Sequence, residues 1–280
     1  GETEDAAPTP DAPIPASDIS DAGGQEEADA EGPAAEDTTG GEEPPQGSTC
    51  PAPSGLQPGA AWPMRSACPT HHGRSAHSGP ADATIAWSVE LGPSHQQPVI
   101  DAQGRIYVAD DLGTLHAVAS DGVVVWAVSL LTMGDGAAYT ALTTPLLAAT
   151  GELIIGTADG FVHAVDASGE TVWSVATGGA VTGDPAISPD GTIVVATDTG
   201  TIRWISSEGF ELGFNFIALG IDAAPAMTDH DDVFFGPVDA LVRRVGVSTG
   251  LVWSAGVGVA SHQAVAIAGS GFVYAVGHFG

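Results

Sequence analysis

Lysine is absent from the chain. The six basic residues are all arginine: Arg65, Arg74, Arg105, Arg203, Arg243 and Arg244. Against 35 acids they leave a formal charge of −29 over 280 residues. A phosphate-gripping nucleic-acid binder needs a basic surface, so that class is excluded. Electrostatic docking on anionic lipid is disfavoured for the same reason. No apolar run approaches the roughly 20 residues of a membrane span. The chain opens at Gly1 without methionine or an apolar leader, which predicts a removed signal or a trimmed sequence. Cysteine is scarce: Cys50 and Cys68 are the only two. They flank a Pro/Gly-rich link, which suits one disulfide in an oxidising compartment; two free thiols are the alternative.

Glycine (38) and proline (20) are abundant, which excludes a helical bundle and points to turns. Charge is uneven. Residues 1–48 hold fourteen acids, no base and no aromatic, and Ile14 and Ile19 are their only large apolar side chains. Such a segment buries too little surface to offset chain entropy, so 1–48 is expected to be a disordered acidic linker. Residues 49–83 read as an irregular leader.

From residue 84 the sequence repeats. Trp87, Trp126, Trp173 and Trp253 close similar units, 39, 47 and 80 residues apart, the last being twice 40. The missing copy falls in GFELGFNFI, where Leu212 to Phe214 occupy the slot. A period near 40 indicates propeller blades of four strands. Each unit parses as an inner strand (PVID, PLLA, PAIS, PAMT, AVAI), a second after a Gly-bearing turn, a third after a tight turn, and a fourth carrying the tryptophan. The runs are rich in Val and Ile and bounded by Gly, Asp and Ser. Many are apolar on consecutive residues, as expected of strands buried on both faces. The fold class is therefore all-β: a β-propeller with four complete blades and a partial fifth over 84–280. The four tryptophans are expected to be largely buried blade-docking residues.

AVDASGETVW at 164–173 resembles the repeat of pyrroloquinoline-quinone (PQQ)-like propellers, and AVASDGVVVW and RVGVSTGLVW are weaker copies. WPMRSACPTHHGRS at 62–75 resembles a leader found before such propellers, through Trp62, Pro63, Met64, His71, Gly73, Arg74 and Ser75. The resemblance implies seven or eight blades and a strand at 84–90 that closes the ring. With the fifth blade stopping after two strands, a fragment or an open array is expected. The resemblance itself leaves activity open, because one fold hosts many functions.

Outer-to-inner loops approach the axis on one face. Three residues before each inner strand stand His95, Leu142, Thr182, Asp222 and His262. His95, Thr182, Asp222 and His262 could converge as a small-ligand site at the axial mouth; plain solvation is the competing reading. The long loop at 130–144 adds Tyr139 and Met133 as possible contacts. His116, His163, Arg203 and Arg243 share one third-strand position and are read as amphipathic packing residues with their tips in solvent. Cys68, His71, His72 and His77 carry metal-ligand chemistry, but the leader motif and the disulfide account for two of them, so no metal site is expected. Asp101, Asp110, Asp166 and Asp190 sit at turns, where Asp bonds nearby backbone N–H groups. No catalytic or phosphate-loop motif occurs.

A quinone dehydrogenase is the enzymatic reading. Such enzymes usually carry adjacent paired cysteines, a calcium set and a cationic partner for the quinone. Here the cysteines lie 18 apart and lysine is absent. The expectation is thus no catalytic residue and no cofactor, with PQQ and calcium only under the alternative. The leading reading is an extracytoplasmic binding or scaffold propeller of the cell envelope, possible as a tethered lipoprotein. It would meet a protein partner or small ligand, with no nucleic acid and no membrane contact beyond a lipid anchor. A surface sensor or adhesion module is the third reading.

Overall fold

The computed structural model describes residues 54–71, 73–75, 78–79, 82–131, 142–217, 220–221, 223–236, 239–256 and 264–275. All belong to the unit Pro45–Gly280. The linker expected at 1–48 lies outside the described residues, as do Cys50, Tyr139, Asp222 and His262.

The described residues form antiparallel sheets. Blade 1 comprises β1 (Val99–Ile100), β2 (Ile106–Ala109), β3 (Thr114–Val118) and β4 (Val124–Ser129). Blade 2 comprises β5 (Leu146–Leu147), β6 (Leu153–Gly156), β7 (Phe161–Val165) and β8 (Thr171–Ala176). Blade 3 comprises β9 (Ala186–Ile187), β10 (Ile193–Ala196), β11 (Thr201–Ile205) and β12 (Glu211–Phe216). Blade 4 comprises β13 (Ala226–Met227), β14 (Val233–Phe235), β15 (Leu241–Gly246) and β16 (Gly250–Gly256). A fifth sheet pairs β17 (Ala266–Ile267) with β18 (Val273–Tyr274). In each blade the strands follow chain order from inner to outer, the up-and-down blade that the period near 40 predicts.

The cores lie between blades. Leu153 and Ile155 of β6 face blade 1, packing with Tyr107 and Leu115. Their neighbour Ile154 faces blade 3, packing with Ile187 and Val195. Strand residues point alternately to opposite faces, so a strand between two blades must be apolar on both. β6 and β10 are buried along their whole length, whereas β4, β8 and β12 alternate between exposed and half-buried.

Side-chain oxygens hold the turns. Asp110 accepts from the backbone N–H groups of Leu112 and Thr114, and Asp166 from those of Ser168 and Glu170. These contacts satisfy donors that the sheet leaves unpaired.

Residues 84–90 do not form the expected strand. A strand exists only by pairing, and none of the described strands lies alongside them. Trp87 nevertheless reaches blade 1: its Nε1 donates to Ser120 O at 2.9 Å, and a Cβ on Gly122 would come within 2.8 Å of its ring. Trp126 does the same to blade 2 through Ala167 O (3.0 Å) and Gly169, and Trp173 to blade 3 through Ser207 O (3.0 Å) and Gly209. The turn glycines have φ of +89°, +93° and +83°, so glycine is needed both for the conformation and to admit the ring.

The tryptophans are less buried than expected. Trp87 and Trp253 are 36 % and 37 % exposed, and Trp126 and Trp173 are half-buried. They lie on or near the outer strands, where one ring face meets the next blade and the other meets solvent. Blade 3 differs. Gly213 takes the tryptophan's register position, and Trp204 stands opposite it on β11, where blades 1 and 2 have Ala117 and Ala164. Trp204 is fully buried and donates from Nε1 to His230 O of blade 4 at 2.7 Å. The large and small members of the cross-strand pair have exchanged places.

The leader is the largest departure from expectation. It crosses the inner strands. Trp62 pairs with Ile100 of β1 in both directions (3.1 and 2.8 Å). Gln57 N donates to Leu147 O, and Leu147 N to Pro63 O, on β5. Met227 N of β13 donates to Pro69 O, and Ile267 N of β17 to Thr70 O, each at 2.9 Å. Gly55 passes so close to Ser188, just after β9, that a Cβ there would collide with its carbonyl. An inner strand has one edge free of its own sheet, and the leader satisfies part of it. Leu56 and Met64 bury their side chains between blades 2 and 3. Cys68 is fully buried and disulfide-bonded; the only other cysteine in the sequence is Cys50.

Candidate functional site

A cavity of about 480 Å³ opens between the leader and the starts of the inner strands. Arg65, Ser66, His71, His95, Gln96, Thr182 and Asp184 are its polar lining residues. The leader aims Arg65 and His71 through a strained turn. Ser66, Ala67 and His71 adopt φ of +54°, +66° and +58°, a region that costs non-glycine residues about 1–3 kcal/mol each. Backbone bonds from Ala67 N to Met64 O (3.0 Å) and from Gly73 N to Ser66 O (2.9 Å) hold the turn.

Arg65 donates from Nε to Asp184 Oδ2 and from an Nη to Thr144 Oγ1 at 3.3 Å. The backbone N–H of Thr144 donates to Asp184 Oδ1 at 2.6 Å, and Thr144 Oγ1 donates to Gln96 Oε1 at 3.2 Å. The cation is therefore neutralised locally, and Asp184 is held on both oxygens. His71 has Nδ1 at 2.8 Å from Val265 O. A carbonyl only accepts, so Nδ1 carries the proton. Burial pushes the imidazole below its ordinary pKa; the bond to Val265 and the nearby Asp184 oppose that shift without overcoming it. His71 is thus neutral with a lone pair on Nε2, and this atom is buried with no hydrogen-bond partner among the described residues.

Of the expected mouth residues, His95 and Thr182 line this one cavity. His95 is mostly exposed, with Nδ1 at 2.6 Å from Asp111 Oδ2, and Thr182 Oγ1 donates to Ile221 O at 2.6 Å. Leu142 is buried and bridges to Thr157, away from the cavity. Counting three residues back missed Arg65, His71, Gln96 and Asp184. Three residues that immediately precede inner-strand prolines, Gln97, Thr144 and Asp184, are hydrogen-bonded to one another or to the leader, and of these Asp184 lines the cavity.

The third-strand position forms no basic ring. His116 Nε2 lies 2.8 Å from Asp110 Oδ2, Arg203 pairs with Glu211, and Arg243 pairs with Asp239. His163 Nδ1 lies 2.7 Å from Ser174 Oγ. His163 and Arg243 are buried rather than tipped into solvent, because an inter-blade side chain has a sheet above it. Burial lowers the His163 pKa. Tyr107 is pushed up to about 12 by burial and by Asp101, whose Oδ2 accepts its hydroxyl at 3.1 Å.

The family model for outer membrane protein assembly factor BamB matches residues 158–212, which span β7 to β11 and the start of β12. Over that stretch the chain is similar to a PQQ-like propeller repeat. No curated protein matches the chain. Among solved structures, the quinohemoprotein alcohol dehydrogenase of Comamonas testosteroni is 16 % identical with a TM-score of 0.61, over 77 % of this chain and 44 % of that one. The corresponding enzyme ADHIIG of Pseudomonas putida is 17 % identical with a TM-score of 0.58, over 71 % and 40 %. BamB of Moraxella catarrhalis is 18 % identical with a TM-score of 0.48, over 63 % and 54 %. The chain thus spans about half the length of these proteins or less, and at such identity the likeness is one of fold.

The likeness to PQQ-like repeats raises the quinone as a ligand. PQQ is a planar tricarboxylate. It requires cations or a bound metal. Arg65 is already neutralised by Asp184, and His71 is neutral. No cluster of three metal-ligating side chains occurs among the described residues. The described lining does not fit the quinone.

Proposed function

We propose that this chain is a non-catalytic binding or scaffold propeller of the cell envelope, similar in kind to BamB. The observation that carries this reading is the axis. The leader occupies inner-strand edges and leaves a polar cavity whose cation is neutralised and whose buried imidazole is neutral. Arg65 and Asp184 hold each other. Such a site suits recognition more than chemistry. The disulfide at Cys68 supports an oxidising, extracytoplasmic location. The charge of −29 disfavours nucleic acid and anionic membrane surfaces, leaving a lipid anchor as the route to a membrane. The partner would be a protein or a small ligand.

The quinoprotein oxidoreductase is the second reading, supported by the dehydrogenase folds above. Titration with PQQ and calcium, followed by visible absorbance and a dye-linked alcohol oxidation assay, separates the two. No saturable binding and no turnover are expected. Micromolar binding with turnover would replace the scaffold reading by the enzymatic one.

A further inference from the structure

We propose that the outer edge of blade 3 is a self-association surface: β12 pairs antiparallel with β12 of a second copy about a two-fold axis at Asn215, so that Phe214 of each copy lies beside Phe216 of the other. The surface is separate from the axial cavity and independent of the function read from it.

A comparison of blades singles out this edge. The outer-strand partners of His116, His163 and Arg243 are Ala127, Ser174 and Ser254, and those of Thr114, Phe161 and Leu241 are Ser129, Ala176 and Gly256. At these two register positions blade 3 carries Phe214 and Phe216, each 63 % exposed. The repeat does not require the two rings, and grouped apolar side chains left in water mark an interaction site.

The backbone points the same way. β12 ends its sheet. Ile217 N donates to Gly200 O at 3.0 Å, so alternation along the antiparallel pair turns Gly213 and Asn215 toward β11 and turns the N–H and C=O groups of Phe214 and Phe216 outward. The residues that expose rings are therefore those that expose hydrogen-bonding groups, and such an edge templates another strand. Phe214 is also held in place. Arg203 donates from Nε to Thr177 O at 2.7 Å, pairs with Glu211, and sets its Cζ 5.8 Å from the Phe214 ring centroid. A ring already ordered loses little freedom on association.

Charge and symmetry name the occupant. Arg203 neutralises Glu211, and residues 212–221 carry no charge. The strip thus offers no free acid to a basic partner and no local repulsion to its own copy. Rotation about Asn215 satisfies both outward residues at once: Phe214 and Phe216 of opposite copies become hydrogen-bonded pairs with their rings in cross-strand contact. It also sets the two Glu211 residues at opposite ends of the contact, where parallel pairing would face them. An aromatic side chain buries about 150–250 Å². Two rings and the 54 % exposed Leu212 on each copy fall short of the roughly 1,200 Å² of a standard interface, so a transient dimer with a Kd on the order of 100 µM is expected.

The test is sedimentation equilibrium of the full chain up to about 1 mM, at about 0.05 and about 0.5 M NaCl. A monomer–dimer equilibrium is expected that tightens at the higher salt, as screening removes the mutual repulsion of two acidic chains. Phe214→Glu puts a charge into each aromatic pair and should weaken the dimer at least about tenfold. Ala127→Glu, at the same register position in blade 1, should leave it unchanged. Circular dichroism melts establish that both variants fold. Asn215→Cys should cross-link copy to copy under mild oxidation and Leu212→Cys should not, because only position 215 meets itself in this register. A chain that stays monomeric at both salts would overturn the proposal, as would a dimer that survives Phe214→Glu or one that cross-links through position 212 instead. A monomer that binds an alternating Lys–Phe peptide, more weakly as salt rises, would assign the edge to a different protein and overturn it equally.

Discussion

At the rim, Trp87, Trp126 and Trp173 carry out one docking step three times, each ring over a turn glycine and each Nε1 on a turn carbonyl. At the axis, one segment meets five inner strands differently: by a two-way bridge, by single bonds and by a bare glycine approach. Repetition makes the rim modular, since each blade needs only its neighbour. The axis is single-copy, so one residue there can serve several blades. It is also where strain, an orphaned imidazole and a neutralised ion pair collect. The rim repeats one docking contact, and the axis gathers single-copy polar groups.

The comparison breaks most readily at Trp204, the one docking tryptophan that is fully buried. Trp204→Ala should cost about 3–5 kcal/mol in urea unfolding, the usual range for a buried aromatic. Trp173→Ala, half-buried at the equivalent junction, should cost roughly half as much. Equal losses would show that exposure at the rim is immaterial to docking.

Met64→Ala probes the axis. Met64 is 1 % exposed and packs between blades 2 and 3, so a loss of about 2–3 kcal/mol is expected in the same assay. A loss under about 1 kcal/mol would mean that the leader lies on the blades without supporting them.

The pH dependence sharpens the contrast further. The His71 pKa is lowered from 6.5 by burial, opposed by Asp184 and reinforced by Arg65. Below pH 6.5 the unfolded chain takes up a proton that the folded chain resists. The stability this residue contributes is therefore complete above pH 6.5 and declines as pH falls toward the folded pKa. His163 acts in the same sense. Asp190, Asp231 and Asp239 are held below 3.8, so their contributions persist through this window and fail only at lower pH. Thermal midpoints should fall between pH 7 and 5, and His71→Gln should flatten that slope. An unchanged slope would place the dependence elsewhere.

The smallest effect is expected from deleting residues 1–48. Their composition leaves almost nothing to bury, so the thermal midpoint of 49–280 should hold within about a degree. A loss of several degrees would show that the segment packs on the propeller.

The Val- and Ile-rich runs, the Asp and Gly turns and the period near 40 made the blades legible, because each recurs and each is a local preference. The tryptophans were legible as docking residues but not in their exposure, which depends on what packs over each ring in space. The exchange between Trp204 and Gly213 was visible only as a gap in the repeat, since the register of β11 against β12 is needed to see the two as a pair.

The cavity was half legible. His95 and Thr182 followed from counting loops, yet Arg65 and His71 come from the leader and Asp184 lies 119 residues beyond Arg65. The sequence by itself determined the strand chemistry, the blade repeat, the acidic balance and the scarcity of cations, all properties of composition and short-range order. The tertiary structure alone decided the path of the leader, the neutralisation of Arg65 and the orphaning of His71 Nε2. Hydrogen-bond satisfaction and desolvation are set by neighbours in space, and a single-copy segment leaves no periodic trace of which neighbours it will meet.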